Sequence, residues 1–282
     1  MPSTDVPLSY DVRPVYLDTT KASIARVYDA FLNGKDNYEV DREVLRRMQQ
    51  VAPEAIRLGS DNRDFLIRVT RFVAAQTGIT QFLDCGSGLP TAENTHQVAQ
   101  RIQPDAQIVY VDNDPTVLAH GRALLEENEQ THFSAADIFK PDQVLNDEVV
   151  RRHLDFSEPI ALFQLGTLHH YEDEGKRSPQ SIMAEYIDAL APGSYVALSH
   201  FYDPETKPEL SELARKMEHV FLHSPMGSGR FRTSAEIEGM LSGLELVEPG
   251  LVKCAEWWPD GPRIKPLDPV QYCIVGAIGR KP

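Results

Sequence analysis

Cysteine is scarce in this chain: Cys85, Cys254 and Cys273 are an odd number, with no paired spacing. That excludes a disulfide framework and offers no zinc-type ligand pattern, so a reducing, cytoplasmic home and no metal are expected. No apolar run approaches the roughly 18 residues of a membrane span, and Met1 to Asp5 carry neither a basic nor an apolar segment. Neither a membrane span nor a signal peptide is therefore expected. Basic residues are in deficit, 28 Lys and Arg against 42 Asp and Glu, a formal net charge of −14. Such a field repels polyanions, so no nucleic-acid partner is expected. Repeats and low-complexity tracts are also missing. What remains is ordinary for a globular protein: 282 residues, 41% hydrophobic and 25% charged. A chain of this length buries about 75% of its unfolded surface, as one embellished domain or two smaller ones. Nothing in the composition speaks to oligomeric state.

Residues 1–19 are aperiodic and contain proline, which reads as an arm laid on the body. From Thr20 the pattern turns helical. Ile24, Val27, Tyr28, Phe31 and Leu32 form one apolar face, with Gly34 at the place of a left-handed cap. A second helix carries Val40, Val44, Leu45, Met48 and Val51. A third starts near Asn62, presents Phe65, Leu66, Val69, Phe72 and Val73, and ends near Gly78. The division expected is an arm and helical lid over residues 1–78 and an α/β core over residues 79–282.

In that core, short apolar runs alternate with helical patterns. Strands are expected at 81–84, 108–112, 132–137, 160–165 and 195–198. Helices lie between them, one of them spanning about 144–154. This alternation implies a parallel sheet with right-handed crossovers and helices on both faces. Further on, a helix holds Leu210, Leu213, Met217 and Phe221, and a Gly-rich loop follows at Met226 to Arg230. Thr233 and Glu236 then form a capping box. Two apolar stretches, 244–247 and 272–278, have no helix between them and are expected to pair antiparallel.

The chemistry concentrates at Asp84-Cys85-Gly86-Ser87-Gly88, between a strand and a helix. Glycines there let the backbone turn tightly and approach a ligand, and ligands of doubly wound sheets bind at the carboxyl ends of strands. The next strand ends in Asp112, 26 residues beyond Gly86, about where an acid meets ribose hydroxyls. A dinucleotide fingerprint needs a third glycine, but Thr91 stands there behind Pro90. The chain also has no Tyr-x-x-x-Lys pair for hydride chemistry. S-adenosylmethionine has no phosphates and carries a sulfonium and an ammonium, which Asp84 suits.

Several stretches together resemble a largely actinobacterial family of S-adenosylmethionine-dependent methyltransferases. They are residues 82–91, Asn94-Thr95-His96, residues 109–115 and 117–120, Ala25 to Asp29, Gly34 to Tyr38, residues 188–195 and residues 244–250. The resemblance covers the chain from about residue 20. Two departures are Cys85, where Ile or Val is usual, and Gln164-Leu165-Gly166-Thr167 at a more apolar strand end. It implies the class I methyltransferase fold, a Rossmann-like, mostly parallel sheet with a reversed hairpin at its C-terminal edge.

The resemblance also implies roles for particular residues. Asp84, Gly86 and Gly88 line the methionine part of S-adenosylmethionine, Asp112 holds the ribose, and Asn113 lies beside the adenine. Asp137 and Ile138 meet the adenine, and Gln164 sits below the sulfonium. Lys35, Asn37 and Tyr38 face the cleft from the lid, with Arg63 (next to Asn62) in the same argument. The other readings stay open: a solvated loop at 33–38, helix capping by Asp61 or Asn62, a cap at Asp137, and a cap at Asp114 beside Asn113. His169 and His170, after the fourth strand, are the candidate catalytic bases, with backbone-bonded loop histidines as the alternative and His200 a weaker candidate. Base-methylation signatures, a Pro-Pro-aromatic or a Pro-Cys motif, are absent. The expected activity is in-line methyl transfer to a small-molecule acceptor. A non-catalytic S-adenosylmethionine binder acting through a partner is the alternative, and a nicotinamide oxidoreductase comes behind it. Trp257-Trp258 is either an exposed edge or a plug packed on the sheet.

Overall fold

Three helices precede the first strand: α1 (Ile24–Phe31), α2 (Glu39–Val51) and α3 (Ile56–Gln76). The computed structural model describes residues 18–90, 93–125, 129–173, 175 and 177–282. Residues 1–17 of the expected arm, and Thr91, lie outside them. Ser23 caps α1 by accepting the Arg26 amide. The left-handed residue after α1 is Asn33 (φ 57°) and not Gly34. Gly34 is glycine for another reason: a Cβ there would lie 1.9 Å from Oδ1 of Asp29. Helix α3 begins at Ile56, a turn and a half before the expected start, because Gly59 does not break it. A Cβ on Gly59 would stand 3.2 Å from Cβ of Phe31, so the glycine lets α1 cross α3 closely. Asp61 and Asn62 are thus buried mid-helix residues and not caps.

The strands are β1 (Gln81–Cys85), β2 (Gln107–Val111), β3 (Thr131–Ser134), β4 (Ala161–Leu165), β5 (Tyr195–Phe201), β6 (Glu245–Leu246), β7 (Val252–Lys253) and β8 (Ile274–Arg280). Their order is β3-β2-β1-β4-β5-β8-β6, with β7 also paired to β8. The first five pair in parallel, whereas β8 runs antiparallel to β5 and β6. This is the class I methyltransferase sheet with its reversed edge. Between and after the strands lie α4 (Thr95–Ile102), α5 (Pro115–Leu125), α6 (Pro141–Leu145), α7 (Glu148–His153), α8 (Pro179–Ala189), α9 (Pro208–Leu222) and α10 (Ser234–Gly239). The single helix expected at 144–154 is two, because the Asp147 carboxylate caps a new start by accepting the Val149 and Val150 amides.

Side chains alternate across the sheet. Phe82, Ile108, Phe163, Ala197 and Ile278 face α3, where Phe65, Val69, Phe72 and Val73 cover them. Leu83, Val109, Leu162, Val196 and Ala277 face α6, α7, α8 and α10. The apolar face of α3 is therefore part of one core with strands on the far side of residue 78. Trp257 is fully buried against Phe65 and Phe72, while Trp258, 39% exposed, stacks on it. Because β1 to β4 are parallel, the loops leaving them open at one edge, beneath α1 and the first half of α3.

Candidate active site

That edge holds a cavity of about 530 Å³, within the range of small-molecule sites. Its floor is the loop after β1. Gly86 takes φ +74°, and a Cβ there would lie 2.4 Å from Cγ2 of Thr167 and 3.0 Å from Cδ1 of Ile138. Only glycine leaves this cradle open. The Gly86 amide donates to the Val111 carbonyl (2.7 Å) and the Gly88 amide to Oδ2 of Asp112 (2.9 Å), so the loop is tied to the end of β2.

Two carboxyl groups line this floor. Asp84 is buried and accepts the Thr95 hydroxyl proton at 2.6 Å. Burial raises its pKa to about 6, opposed by that hydrogen bond and by Arg63. Asp112 is raised to about 6 as well, again by burial, opposed by the amides of Asp114 and Gly88. Arg63, on α3, also lines the cavity and donates to Oδ1 of Asn94 at 3.2 Å. Asn113, Asp137 and Ile138 complete this side. Asp137 accepts the Phe139 amide (3.0 Å) and pairs with Lys140 (3.0 Å). Asp114 accepts the Thr116 amide at 2.7 Å, capping α5, and bonds the Ser23 hydroxyl before α1.

The other side is apolar. Phe31, Leu58, Phe201, Phe221, Met226 and Ile274 line it, with His169 and His170 between the two sides. The His169 ring stacks on Phe201 (3.7 Å between centroids), and its buried Nδ1 finds no hydrogen-bond partner among the described residues. Burial, then His170, His200 and Arg232, hold His169 well below the usual histidine range. Nδ1 of His170 bonds the Ser228 hydroxyl (2.9 Å), and burial pushes its pKa down to about 3. His200 does not line the cavity; its Nε2 accepts from Arg232 at 2.8 Å.

Of the residues expected in the site, Arg63, Asp84, Gly86, Gly88, Asp112, Asn113, Asp137, Ile138, His169 and His170 meet at this cavity. Lys35, Asn37, Tyr38 and Gln164 are not among its lining residues. Asn37 Nδ2 is held by the Asp29 carboxylate (2.7 Å), and the Tyr38 ring lies under the Arg26 guanidinium (5.3 Å). Lys35, two residues before Asn37 in the sequence, is exposed. Gln164 is buried with its Oε1 bonded to the Thr167 hydroxyl, and Leu165, Gly166 and Thr167 stand at the wall in its place. Lys35→Ala is accordingly expected to leave S-adenosylhomocysteine affinity within about twofold by calorimetry, as for an ordinary surface change. A tenfold loss would return the lysine to the site.

Asn62, weighed only beside Arg63, and Tyr28 are the wall residues that sequence reasoning underused. Asn62 donates to the Tyr28 hydroxyl (3.1 Å) and accepts from Ser199, and a Cβ on Gly166 would lie 2.9 Å from its amide nitrogen. The signal was an asparagine on the apolar face of a helix. Phe201 and Phe221 left no signal distinguishing them from core.

Among the described residues no helix is long and apolar enough to cross a membrane, and no three metal-ligating side chains cluster. Residues 11–282 match the model of a family described as S-adenosyl methyltransferase. A crystal structure from Thermobifida fusca, provisionally described as a methyltransferase, is 43% identical, with 94% of this chain and 96% of that one covered and a TM-score of 0.87. A DUF574 family protein from Streptomyces avermitilis is 34% identical over 94% of this chain and 99% of that one, with a TM-score of 0.86. An O-methyltransferase family protein from Burkholderia thailandensis shares the fold at 13% identity, covering 94% and 74%, with a TM-score of 0.51. No curated protein matches the chain.

Proposed function

This chain belongs to the S-adenosyl methyltransferase family, and we propose that it transfers a methyl group directly, in line, to a small-molecule acceptor. The observation that carries the reading is one cavity that joins the Gly86–Gly88 cradle and the Asp84 and Asp112 carboxyls to a separate apolar half. S-adenosylmethionine supplies an activated, positively charged methyl donor. The residues present fit it. The charged side chains on the described wall are Asp84, Asp112, Asp114 and Asp137 against Arg63 alone, which favours a cationic ligand.

In this reading Asp84, Gly86 and Gly88 hold the methionine part, Asp112 accepts from the ribose hydroxyls, and Asn113, Asp137 and Ile138 border the adenine. Helix α1 and its flanks act as the lid, while α3 both roofs the cavity and covers the sheet. Alignment and exclusion of water are then the protein's main contributions. His169 stays unprotonated at neutral pH and is the group placed to accept a proton. The dinucleotide alternative lacks a third glycine at residue 91, and the non-catalytic alternative leaves the orphaned His169 Nδ1 without a use.

Calorimetry tests the reading: S-adenosylhomocysteine binding in the micromolar range with NAD far weaker supports it, and NAD binding tighter overturns it. The carboxyls add a pH signature. Their pKa of about 6 in the folded protein lies above the ordinary aspartate value of 3.8, so between these values the folded state holds more protons than the unfolded chain. Their contribution to unliganded stability therefore falls as pH rises through about 6. A ligand that donates hydrogen bonds to the ionised carboxylates offsets that loss. The rise in melting temperature caused by S-adenosylhomocysteine is expected to grow from pH 5 to pH 7.5; a rise independent of pH would remove these carboxyls from the site.

A further inference from the structure

We propose that the acceptor is a flat, uncharged aromatic molecule carrying a ring hydroxyl, received by the apolar half of the cavity with its hydroxyl on His169. This rests on the methyl-transfer reading and names the substrate class that reading leaves open.

Charge selects first. The Asp residues and Arg63 on the described wall belong to the half built by the loops after β1, β2 and β3 and by the facing turn of α3. The opposite half presents Phe31, Leu58, Phe201, Phe221, Met226 and Ile274. Arg232, the cation nearest the histidines, does not line the cavity; it donates to His200 Nε2 (2.8 Å) and to the Leu168 carbonyl (3.1 Å). A carboxylate, phosphate or ammonium on the acceptor would lose its hydration there without gaining a partner.

Shape selects second. The planes of His169 and Phe201 lie within 13° of each other, and those of Phe201 and Phe221 within 5°. Rings stacked face to face turn their edges to the cavity, and the face of a planar acceptor meets those edges in edge-to-face contact as well as gaining apolar burial. These rings are held from behind. Phe231 stacks on Phe201 at 4.9 Å, and the His169 carbonyl accepts the Arg230 amide at 2.7 Å. The Gly-rich loop from Met226 to Arg230 thus has a role: it fixes the histidine pair, through Ser228 on His170 and Arg230 on His169, while Met226 stands at the wall.

A polar atom of the histidine pair selects third. His169 is 3% exposed, yet Nδ1 has no hydrogen-bond partner among the described residues, and a buried unpaired acceptor is costly. Once the ring, which lines the cavity, turns that nitrogen toward the acceptor, a hydroxyl proton satisfies it. His169 is also a weak base, because burial and three neighbouring basic groups disfavour its charged form. A weak base takes a proton from an acidic aryl hydroxyl and not from an alkyl alcohol. In the transfer, the acceptor oxygen bonds the methyl carbon as the carbon–sulfur bond breaks. The electron pair of that bond stays on sulfur, and the hydroxyl proton passes to His169 and then to water. Both products are uncharged at the reacting atoms, which suits apolar walls; methylating a neutral amine would leave a new cation against them.

The test uses the full-length protein with 2-naphthol, 2-naphthoate and cyclohexanol as probes. Affinity for S-adenosylhomocysteine is measured first. Its absence overturns the methyl-transfer reading itself. With S-adenosylhomocysteine bound, 2-naphthol is expected to bind saturably and at least tenfold tighter than 2-naphthoate or cyclohexanol. Met226→Glu is expected to weaken 2-naphthol at least tenfold while leaving S-adenosylhomocysteine affinity within twofold. With S-adenosylmethionine, mass spectrometry should detect 2-methoxynaphthalene, lost in His169→Leu although that variant still binds 2-naphthol. If S-adenosylhomocysteine binds normally but 2-naphthol binds no better than 2-naphthoate, the acceptor class is wrong and the cofactor assignment stands.

Discussion

The Asp41→Asn protein is expected to unfold with a free energy about 3–5 kcal/mol smaller than the parent, the cost of breaking a buried ion pair by removing one partner. Asp41 is fully buried and Arg26 is 4% exposed. The Asp41 carboxylate accepts Arg26 Nε (2.9 Å), the Ser23 amide (3.1 Å) and the Tyr38 amide (2.9 Å), so it joins the start of α1 to the start of α2. An asparagine keeps the shape, loses the charge and turns an N–H₂ group toward donors. Against a typical domain stability of about 5–15 kcal/mol this is a large fraction. Urea unfolding measures it. A loss below about 1 kcal/mol would mean that water or rearrangement replaces the pair. Because α1 carries Val27, Tyr28 and Phe31 to the cavity wall, the variant should also bind S-adenosylhomocysteine more weakly. Replacing both partners, as Arg26→Met with Asp41→Leu, should recover much of the stability, since no uncompensated charge is then left buried.

Asp112→Ala is expected to weaken S-adenosylhomocysteine by about 2–4 kcal/mol, from some 30-fold to 1,000-fold. Two losses combine. The charge-assisted hydrogen bonds assigned to the ribose disappear. The Gly88 and Asp114 amides also lose the carboxylate that fixes the loop after β1 to the loop after β2, at 2.9 Å each. Calorimetry on folded protein decides the matter, with circular dichroism as the folding control. Unchanged affinity would refute the ribose role. Asp112→Asn should fall between, since its carbonyl oxygen still accepts from Gly88.

The features most legible in the sequence were local ones. Phe82-Leu83 and Ile108-Val109 are strands because apolar runs buried on both faces, followed by a turn, have little other use. Gly86, Gly88 and Asp112 could be placed together because the ends of adjacent parallel strands must share an edge. What was not legible depends on partners far away in the chain. The third helix was expected from about Asn62, and that Gly59 lies inside it is explained only by Phe31 packed against it. Arg26 and Asp41 are charged residues in surface-like patterns, and only the meeting of two helices buries them. Lys35 and Asn37 have the composition of a loop facing either solvent or ligand, and only the fold shows Asn37 held by the Asp29 carboxylate and neither residue on the cavity wall. Phe201 lies past the expected end of β5, and Phe221 occupies an ordinary apolar helix position. Their sequence context does not distinguish the wall of a site from the middle of a core.

The place of β8 constrains the order in which the molecule can assemble. It follows β6 in the chain, yet it lies between β5 and β6 and makes the pairing that joins them. During synthesis β5 therefore remains an open edge until residues 274–280 have left the ribosome, and β6, already made, has no strand to dock on. Arg68 of α3 waits equally long for the Cys254 and Trp257 carbonyls it binds, 186 and 189 residues away. Contacts of such separation slow folding, and an open edge beside exposed apolar helices invites association between nascent chains. The nascent chain is thus most exposed to misassembly just before its last strand is inserted, and yield in refolding or expression should depend steeply on protein concentration.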